Sequence, residues 1–329
     1  MALDQADLEN SKRINNEAAM LHVNGEAEDA QDRYRQALDV NPQNASALNN
    51  LGFLLAQKGD LDTAIDCYEQ ALALDPENTT CLGNLASAQA VKGDVAAGMA
   101  LLDQATALAP DDTLIWDNLG KLALAAGALE RSEKAFQRAF DISRDAAHLG
   151  RLATVVAARG RLAEAGTLLQ AATAAMPGDA DLWRQLGVVC FVRQDFGSAQ
   201  DALDTAFRLN PEDPEILRHL YLTELARGNR VGAEATLTRL IKLCPQAVGP
   251  QTDLAILRLE QGAFEAAVQI LERALTMDDA GPRTAFYHGL ALVLSGDHTH
   301  GRAALNEVAS EGGKYADKAL QHLQDLDAA

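Results

Sequence analysis

The sequence has few of the features that mark membrane, secreted or disulfide-rich proteins. Nothing in its 329 residues approaches the run of roughly 18 consecutive apolar residues that a membrane-spanning helix requires. The opening residues, MALDQADLEN, have neither the basic stretch nor the apolar stretch of a secretory signal. We therefore expect a cytoplasmic protein that has no membrane partner.

Cysteine is scarce, and no two cysteines form a C-x-x-C pair: they are Cys67, Cys81, Cys190 and Cys244. We interpret them as reduced side chains in the core or on helix faces, rather than as metal ligands or redox groups. The triplet His298-Thr299-His300 is a weak metal motif, because only Asp297 stands beside it. We expect no metal site.

Motifs that carry catalysis are also lacking. The sequence contains no P-loop, no Rossmann glycine motif, no Gly-x-Ser-x-Gly and no histidine and carboxylate pair with helical metal spacing. We predict that the chain is not an enzyme, that it has no catalytic residues and that it uses no cofactor.

Basic residues are outnumbered, with 28 Lys and Arg against 47 Asp and Glu and a net charge of −19. Nucleic acid is not an expected partner, because affinity for it depends on neutralising phosphates. We interpret the acid excess as a means of solubility. The alternative is that it attracts a basic partner.

The sequence does have a period of 34 residues through most of its length. Two series of prolines show it: Pro42, Pro76 and Pro110, then Pro177, Pro211 and Pro245. In residues 45–78, apolar residues recur at steps of three and four in each half, and Gly59-Asp60 separates the halves. Each period therefore predicts a helix, a short turn and a second helix, which we call helix A and helix B.

The placement of small and large residues resembles the tetratricopeptide repeat family. That family has a small residue on helix A, and a small, a large and a second small residue on helix B. The small residue of helix A recurs as Ala18, Gly52, Ala86, Gly120, Ala153, Gly187, Ala255 and Gly289. The large residue of helix B recurs as Tyr34, Tyr68, Leu102, Phe136, Leu169, Leu203, Leu237, Leu271 and Leu305.

The resemblance implies an all-α fold, a right-handed α-solenoid of stacked helix-turn-helix units that ends in a C-terminal capping helix. We count about nine units over residues 11–311, with a polar lead-in or extra helical turn over 1–10 and the capping helix and tail over 312–329. No linker rich in Gly, Ser and Pro interrupts the pattern, so we expect one continuous array. Two departures are Gln194 at the turn glycine of unit six and Tyr221 at a small position of unit seven.

The resemblance also implies that helix A of each unit lines a concave face. The residue just before the helix A leucine is asparagine in the first four units, as Asn16, Asn50, Asn84 and Asn118. A carboxamide donates and accepts hydrogen bonds at once, so a column of them matches the backbone of an extended peptide. The column is similar to an asparagine ladder of the O-GlcNAc transferase family, which holds substrate polypeptide by its backbone. The alternative is that these residues bond a neighbouring helix.

Later units differ in the same column and beside it. Lys121, Arg151, Arg184, Gln185, Arg218 and His219 form a basic and polar stripe that would suit an acidic segment or a C-terminal carboxylate. The alternative is that the arginines pair with nearby acids. Phe53, Leu124 and Phe191 fall on inner positions of helix A and predict pockets for partner side chains, unless they pack on the adjacent helix.

These patterns favour a non-catalytic scaffold or adaptor that binds an extended protein or peptide segment in the groove of the A helices. A first alternative is a self-assembling structural homo-oligomer. A second is the targeting subunit of a separate enzyme such as a glycosyltransferase.

Overall fold

The computed structural model describes residues 4–328, which form nineteen α-helices and no strand. The first ten are α1 (Gln5–Val23), α2 (Ala27–Val40), α3 (Ala45–Gln57), α4 (Leu61–Leu74), α5 (Thr79–Val91), α6 (Val95–Leu108), α7 (Thr113–Ala125), α8 (Leu129–Ser143), α9 (Ala146–Ala158) and α10 (Leu162–Ala175). The others are α11 (Ala180–Val192), α12 (Phe196–Leu209), α13 (Pro214–Ala226), α14 (Arg230–Leu243), α15 (Val248–Glu260), α16 (Phe264–Leu275), α17 (Pro282–Leu294), α18 (His298–Glu311) and α19 (Lys314–Ala328).

Contacts divide the chain into two compact units, Met1–Ala175 and Met176–Ala329. In each unit, the odd-numbered helices from α1 to α17 are A helices and each packs on the B helix that follows it, which confirms the predicted helix pairs. The single continuous array expected over 11–311 stays a prediction. Helix α1 begins at Gln5, so part of the expected lead-in is helical. None of the helices described is long and apolar enough to cross a membrane.

Aspartate and asparagine side chains fix where many of the helices begin. Asp60, for example, precedes α4 and accepts a hydrogen bond from the backbone N–H of Thr63. A cap of this kind satisfies a donor that the first turn leaves unpaired, and a carboxylate also interacts favourably with the helix dipole. Aspartate does this at Asp4, Asp60, Asp94, Asp112, Asp145, Asp179, Asp195, Asp213 and Asp297. Part of the acid excess is therefore used to start helices.

Helix A and helix B of one repeat approach closely where the small residue of A meets the large residue of B. At Gly120 of α7, an added Cβ would lie 2.6 Å from the ring of Phe136 on α8. Phe136 is 1% exposed, as is its counterpart Tyr68, which meets Gly52 in the same way. Close contact of this kind gives the dense packing that stabilises each pair.

The turn from helix A to helix B requires a residue with positive φ. Gly59 occupies it in the second repeat with φ of 87°, at no steric cost. In the sixth repeat Gln194 takes the same turn with φ of 64°. The departure seen in the sequence is therefore a side chain held in a conformation that usually favours glycine.

The last helix covers the final pair, as the sequence predicts. Ala319 and Leu323 of α19 are buried against Phe286 of α17 and Leu305 of α18. The exposed apolar face that the last repeat would otherwise present is thus covered by a helix of the chain itself.

Repeat seven contains a carboxylate in its core. Glu224 of α13 is 8% exposed, and its Oε2 atom has no hydrogen-bond partner. Burial raises the pKa of Glu224, because the charged form is poorly solvated there. The hydroxyl of Thr236 on α14 bonds the side chain and opposes this rise in pKa.

We predict that the Gly120→Ala substitution lowers the free energy of unfolding by about 1–3 kcal/mol, because the new methyl group collides with the Phe136 ring. Urea denaturation followed by circular dichroism measures this. Gly249→Ala in α15 is the control, since an added Cβ there meets nothing within 4 Å. Equal effects of the two substitutions would contradict the packing argument.

We predict that the C-terminal unit loses stability as pH rises through the raised folded-state pKa of Glu224, because the folded state binds that proton more tightly than the unfolded state. Glu224→Gln should remove this loss and stabilise the unit at pH 8 by on the order of 1 kcal/mol. Thermal melts from pH 4 to 9 test it. Glu307→Gln, at an exposed position of α18, should leave the wild-type pH profile unchanged.

Candidate functional site

The predicted site residues lie on A helices of both units. We call those on α1, α3, α5, α7 and α9 the N-terminal A face: Asn16, Asn50, Phe53, Asn84, Asn118, Lys121, Leu124 and Arg151. Those on α11 and α13 form the C-terminal A face: Arg184, Gln185, Phe191, Arg218 and His219. In the N-terminal unit α1 contacts α3, α3 contacts α5 and α5 contacts α7, which brings successive columns of side chains together.

Asparagine side chains bond one A helix to the next. The amide nitrogen of Asn50 donates to Oδ1 of Asn15 at 3.1 Å, and that of Asn84 donates to Oδ1 of Asn49 at 3.0 Å. Asn49 in turn donates to Asn50 across 3.4 Å. We call these four residues the asparagine ladder. Asn50 and Asn84 therefore bond a neighbouring helix, which was the alternative to peptide binding that the sequence left open.

The ladder does not use all the hydrogen-bonding capacity of these side chains. A carboxamide has two N–H donors and an oxygen with two lone pairs. Asn84 uses one donor, and its oxygen accepts no bond within the described residues. Asn50 and Asn84 are both half-buried, so their remaining polar atoms can reach solvent or a ligand.

The ladder stops at Gly83, which has no side chain to receive the next bond. The amide nitrogen of Asn118 lies 3.9 Å from the position that a Cβ of Gly83 would occupy. Asn118 is half-buried and has no side-chain hydrogen bond in the described part of the chain. Asn16 is exposed and is likewise unbonded among residues 4–328. Two of the four predicted asparagines are therefore open.

Asp117 holds the basic residues of the N-terminal A face. Its side chain is 6% exposed and pairs with Lys121 at 2.7 Å and with Arg151 of the next A helix. His148 lies 3.8 Å from the same carboxylate and contacts Ser143 at 3.0 Å through its other ring nitrogen. Two permanent cations thus share one carboxylate, and both are partly exposed.

A shallow apolar depression of about 260 Å³ lies between α3, α4 and α5. We call it the Phe53 depression. Phe53 is 43% exposed and Val91 is 73% exposed, while Asn84 and Ser87 supply polar rim atoms. The remaining lining residues are Ala56, Gln57, Leu61, Tyr68 and Ala88. The structure thus places a predicted apolar residue and a predicted asparagine beside one concavity.

Charge is absent from the A helices that form this depression. Neither α3 nor α5 contains an Asp, Glu, Lys or Arg residue. The B helix between them, α4, carries Asp62, Asp66 and Glu69 and no basic residue. The acid excess of the chain is therefore carried by the B side of these repeats and not by the A face.

The arginines of the C-terminal A face are paired with acids of their own helix. Arg184 bonds Asp181, and Arg218 lies 3.3 Å from Glu215. Gln185 donates to the second oxygen of Asp181 at 2.6 Å. The predicted basic stripe is thus a series of ion pairs, and the alternative that the arginines pair with nearby acids describes them. Their part in partner binding stays a prediction.

The other predicted residues are half-buried. Burial lowers the pKa of His219, and the positive charge of Arg184 lowers it further, so the neutral imidazole is favoured. Phe191 packs edge-on against Phe196 of α12, with ring centroids 5.5 Å apart. Leu124 is half-buried on α7. Phe191 therefore has a packing role within its own repeat.

The sequence analysis did not identify the residues that accept the hydrogen bonds of the ladder. Asn15, Asn49, Gly83 and Asp117 each stand one residue before the predicted column. The Asn-Asn doublets at 15–16 and 49–50 were the available signal, since two adjacent asparagines are unfavourable in a helix without partners. It also missed Val91, because solvent exposure of an apolar residue depends on its neighbours.

The cysteines lie on helix faces or in the core, apart from Cys244, which directly follows α14. Burial raises the pKa of Cys81 to about 12, so it carries little thiolate at neutral pH. Cys67, Cys81 and Cys190 are buried and all four cysteines are free. Within the described residues no group of three His, Cys, Asp or Glu side chains is arranged to hold a metal ion.

We predict that Asn49→Ala lowers the free energy of unfolding of the N-terminal unit by about 1–2 kcal/mol, because it removes the bonds to both Asn50 and Asn84. Asn118→Ala should change it by less than about 0.5 kcal/mol, because no bond is lost and alanine favours the helix. Urea denaturation of both variants tests this. A larger loss for Asn118→Ala would show that the ladder does not stabilise the unit.

Sequence profiles described as Tetratricopeptide repeat match residues 45–78, 156–220 and 252–316, and a profile described as TPR repeat matches residues 20–59. Together these matches cover more than half of the chain, and the match over 45–78 coincides with the pair formed by α3 and α4.

A cytochrome c-type biogenesis protein, CycH, of Rhizobium meliloti (strain 1021) is 27% identical over 127 residues, which is 37% of this chain and 33% of CycH. The match thus spans about a third of the length of that relative.

Among solved structures, Pseudomonas aeruginosa PilF has a TM-score of 0.56 at 18% identity, over 65% of this chain and 98% of PilF. The Cut9–Hcn1 hetero-tetramer of the APC/C has a TM-score of 0.56 at 16% identity, over 84% of this chain and 54% of that chain. These similarities concern the fold alone. With the repeat register, the helix pairs and the profile matches in agreement, the chain belongs to the tetratricopeptide repeat family.

Proposed function

We propose that this protein is a non-catalytic scaffold that binds an extended segment of a partner protein along its N-terminal A face. The observation that carries the proposal is the open amide of Asn118 on the face that also holds the Phe53 depression. Exposed apolar side chains beside unpaired amides are typical of a surface that takes both the backbone and the side chains of a peptide.

The backbone of the segment would bond the free atoms of Asn84, which belongs to the ladder, and of Asn118, which lies beyond its end. An extended peptide offers N–H and C=O groups alternately, and Asn84 and Asn118 retain both donors and acceptors. Because Asn50 and Asn84 are already held by their neighbours, little side-chain entropy would be lost when a peptide binds. The ladder would thus both join neighbouring repeats and bind the ligand.

The ion pairs of the A face would contribute to specificity. Lys121 and Arg151 share one carboxylate, so one positive charge remains in excess beside Asn118. In the C-terminal unit, Arg184 and Arg218 each pair with an acid of their own helix. Such surface ion pairs contribute little free energy, and they leave guanidinium N–H donors available. An acidic residue of the partner would be accepted at either place.

A second candidate is a role in the assembly of c-type cytochromes, the process for which the relative CycH is named. The 27% identity over 127 residues supports this candidate. A deletion strain would then lack haem-stained c-type cytochromes, and the wild-type gene would restore them. Normal cytochrome content would remove this candidate and leave the scaffold proposal in place.

We predict that Phe53→Ala combined with Asn118→Ala weakens partner capture from native lysate at least about tenfold, because an apolar contact and a backbone bond are lost together. Mass spectrometry of proteins retained by each variant measures this. Circular dichroism of the double variant should match the wild type, since neither residue is buried.

The matched control is Leu108→Ala combined with Gln104→Ala on α6, a B helix, where Leu108 is 40% exposed. Partners lost equally from both double variants would place the interaction away from the A face. Light scattering of the same samples would reveal a homo-oligomer, and capture of the chain by itself would favour the self-assembly alternative.

A further inference from the structure

We infer that the partner segment bound by the N-terminal A face is uncharged where it crosses α3 and α5, and that it places one bulky apolar side chain in the Phe53 depression. This inference rests on the proposed function and names the chemistry of the ligand. It is carried by the charge, the size and the exposure of the surface.

The charge of the surface selects against ionised side chains. None of the residues that line the depression is ionised, so its lining offers no countercharge to an ionised group that is desolvated there. Lys58 and Lys92 directly follow the last turns of α3 and α5, and they are paired with Glu28 and Asp62. The chain has a net charge of −19, so two neighbouring A helices without any charged residue are unusual in it. Electrostatic complementarity favours an uncharged ligand at these helices.

The size of the depression fits a side chain. Its volume of about 260 Å³ is below the range of roughly 300–1,000 Å³ that is typical of pockets for drug-sized ligands. Phe53 and Val91 form its exposed apolar walls, and they are on adjacent A helices. A leucine, methionine or phenylalanine side chain would fill more of this volume than alanine and would bury more apolar area.

The rim fixes how the backbone of the segment runs. Asn84 lines the depression and has a free N–H and a free oxygen, so it can bond the peptide group next to the apolar anchor. The hydroxyl of Ser87 donates to the carbonyl of Gly83 at 3.0 Å and can still accept a bond. The apolar side chain of the ligand and the peptide group next to it would thus both be bound at the depression.

A random nonapeptide library displayed on phage tests this inference while the partner is still unidentified. Sequences enriched on the full-length wild-type protein should share one bulky apolar position and should be depleted of Asp, Glu, Lys and Arg around it. The best peptide should bind about tenfold more weakly when its apolar anchor is replaced by alanine, because the buried apolar area is lost. Replacement of the anchor by aspartate or lysine should weaken the binding of the peptide further.

Variants locate the contact on the protein. Phe53→Ser and Val91→Ser should each abolish the preference for an apolar anchor, so that the leucine and alanine forms of the best peptide bind equally. Val192→Ser is the matched control, because Val192 ends α11 of the C-terminal unit as Val91 ends α5, and it is 55% exposed. Its affinities should equal those of the wild type.

The outcomes separate the inference from the proposed function. If enriched peptides are charged, or if Phe53→Ser keeps the apolar preference while Asn118→Ala weakens all peptides, the A face binds peptides and the inference is overturned. If no sequence is enriched over an unrelated control protein, both the inference and peptide binding at this face fail.

Discussion

Close contact between a small residue on one helix and a large residue on the next is what the rest of this structure depends on. Gly120 against Phe136 and Gly52 against Tyr68 bring the axes of each pair together, and the buried ring fills the space between them. Because one pair cannot bury its apolar surface alone, neighbouring repeats must stack on it. Stacking then places successive A helices side by side, and only in that arrangement do the asparagines of different repeats meet.

The asparagine ladder joins stability to recognition. Asn15, Asn49, Asn50 and Asn84 bond across A helices, so the column that suggests peptide binding also holds the repeats together. Gly83 interrupts the ladder and leaves the next amide without a partner. A protein surface in which most polar groups are held and a few are open is preorganised, and a ligand that completes it spends little free energy on ordering side chains.

Many of the acidic residues of the chain have a structural role or lie on B helices. Aspartates begin many of the helices, where a carboxylate satisfies backbone donors and the helix dipole favours it. Helix α4 adds three acids on the B side, whereas α3 and α5 have none. The composition alone suggested solubility or attraction of a basic partner, but α3 and α5, which form the Phe53 depression, contain none of these acidic residues.

The sequence by itself determined the repeat, its helix pairs and its family, because a 34-residue period and a recurring small-and-large pattern are local properties of the chain. It also indicated Asn84 and Phe53 as candidate site residues, which stay a prediction. It could not reveal that Asn50 and Asn84 are bonded, that Arg151 pairs with Asp117, or that Val91 is exposed beside Phe53. Those relations join residues about one repeat apart. Only the tertiary structure decided them, because hydrogen bonds and exposure depend on which helices become neighbours.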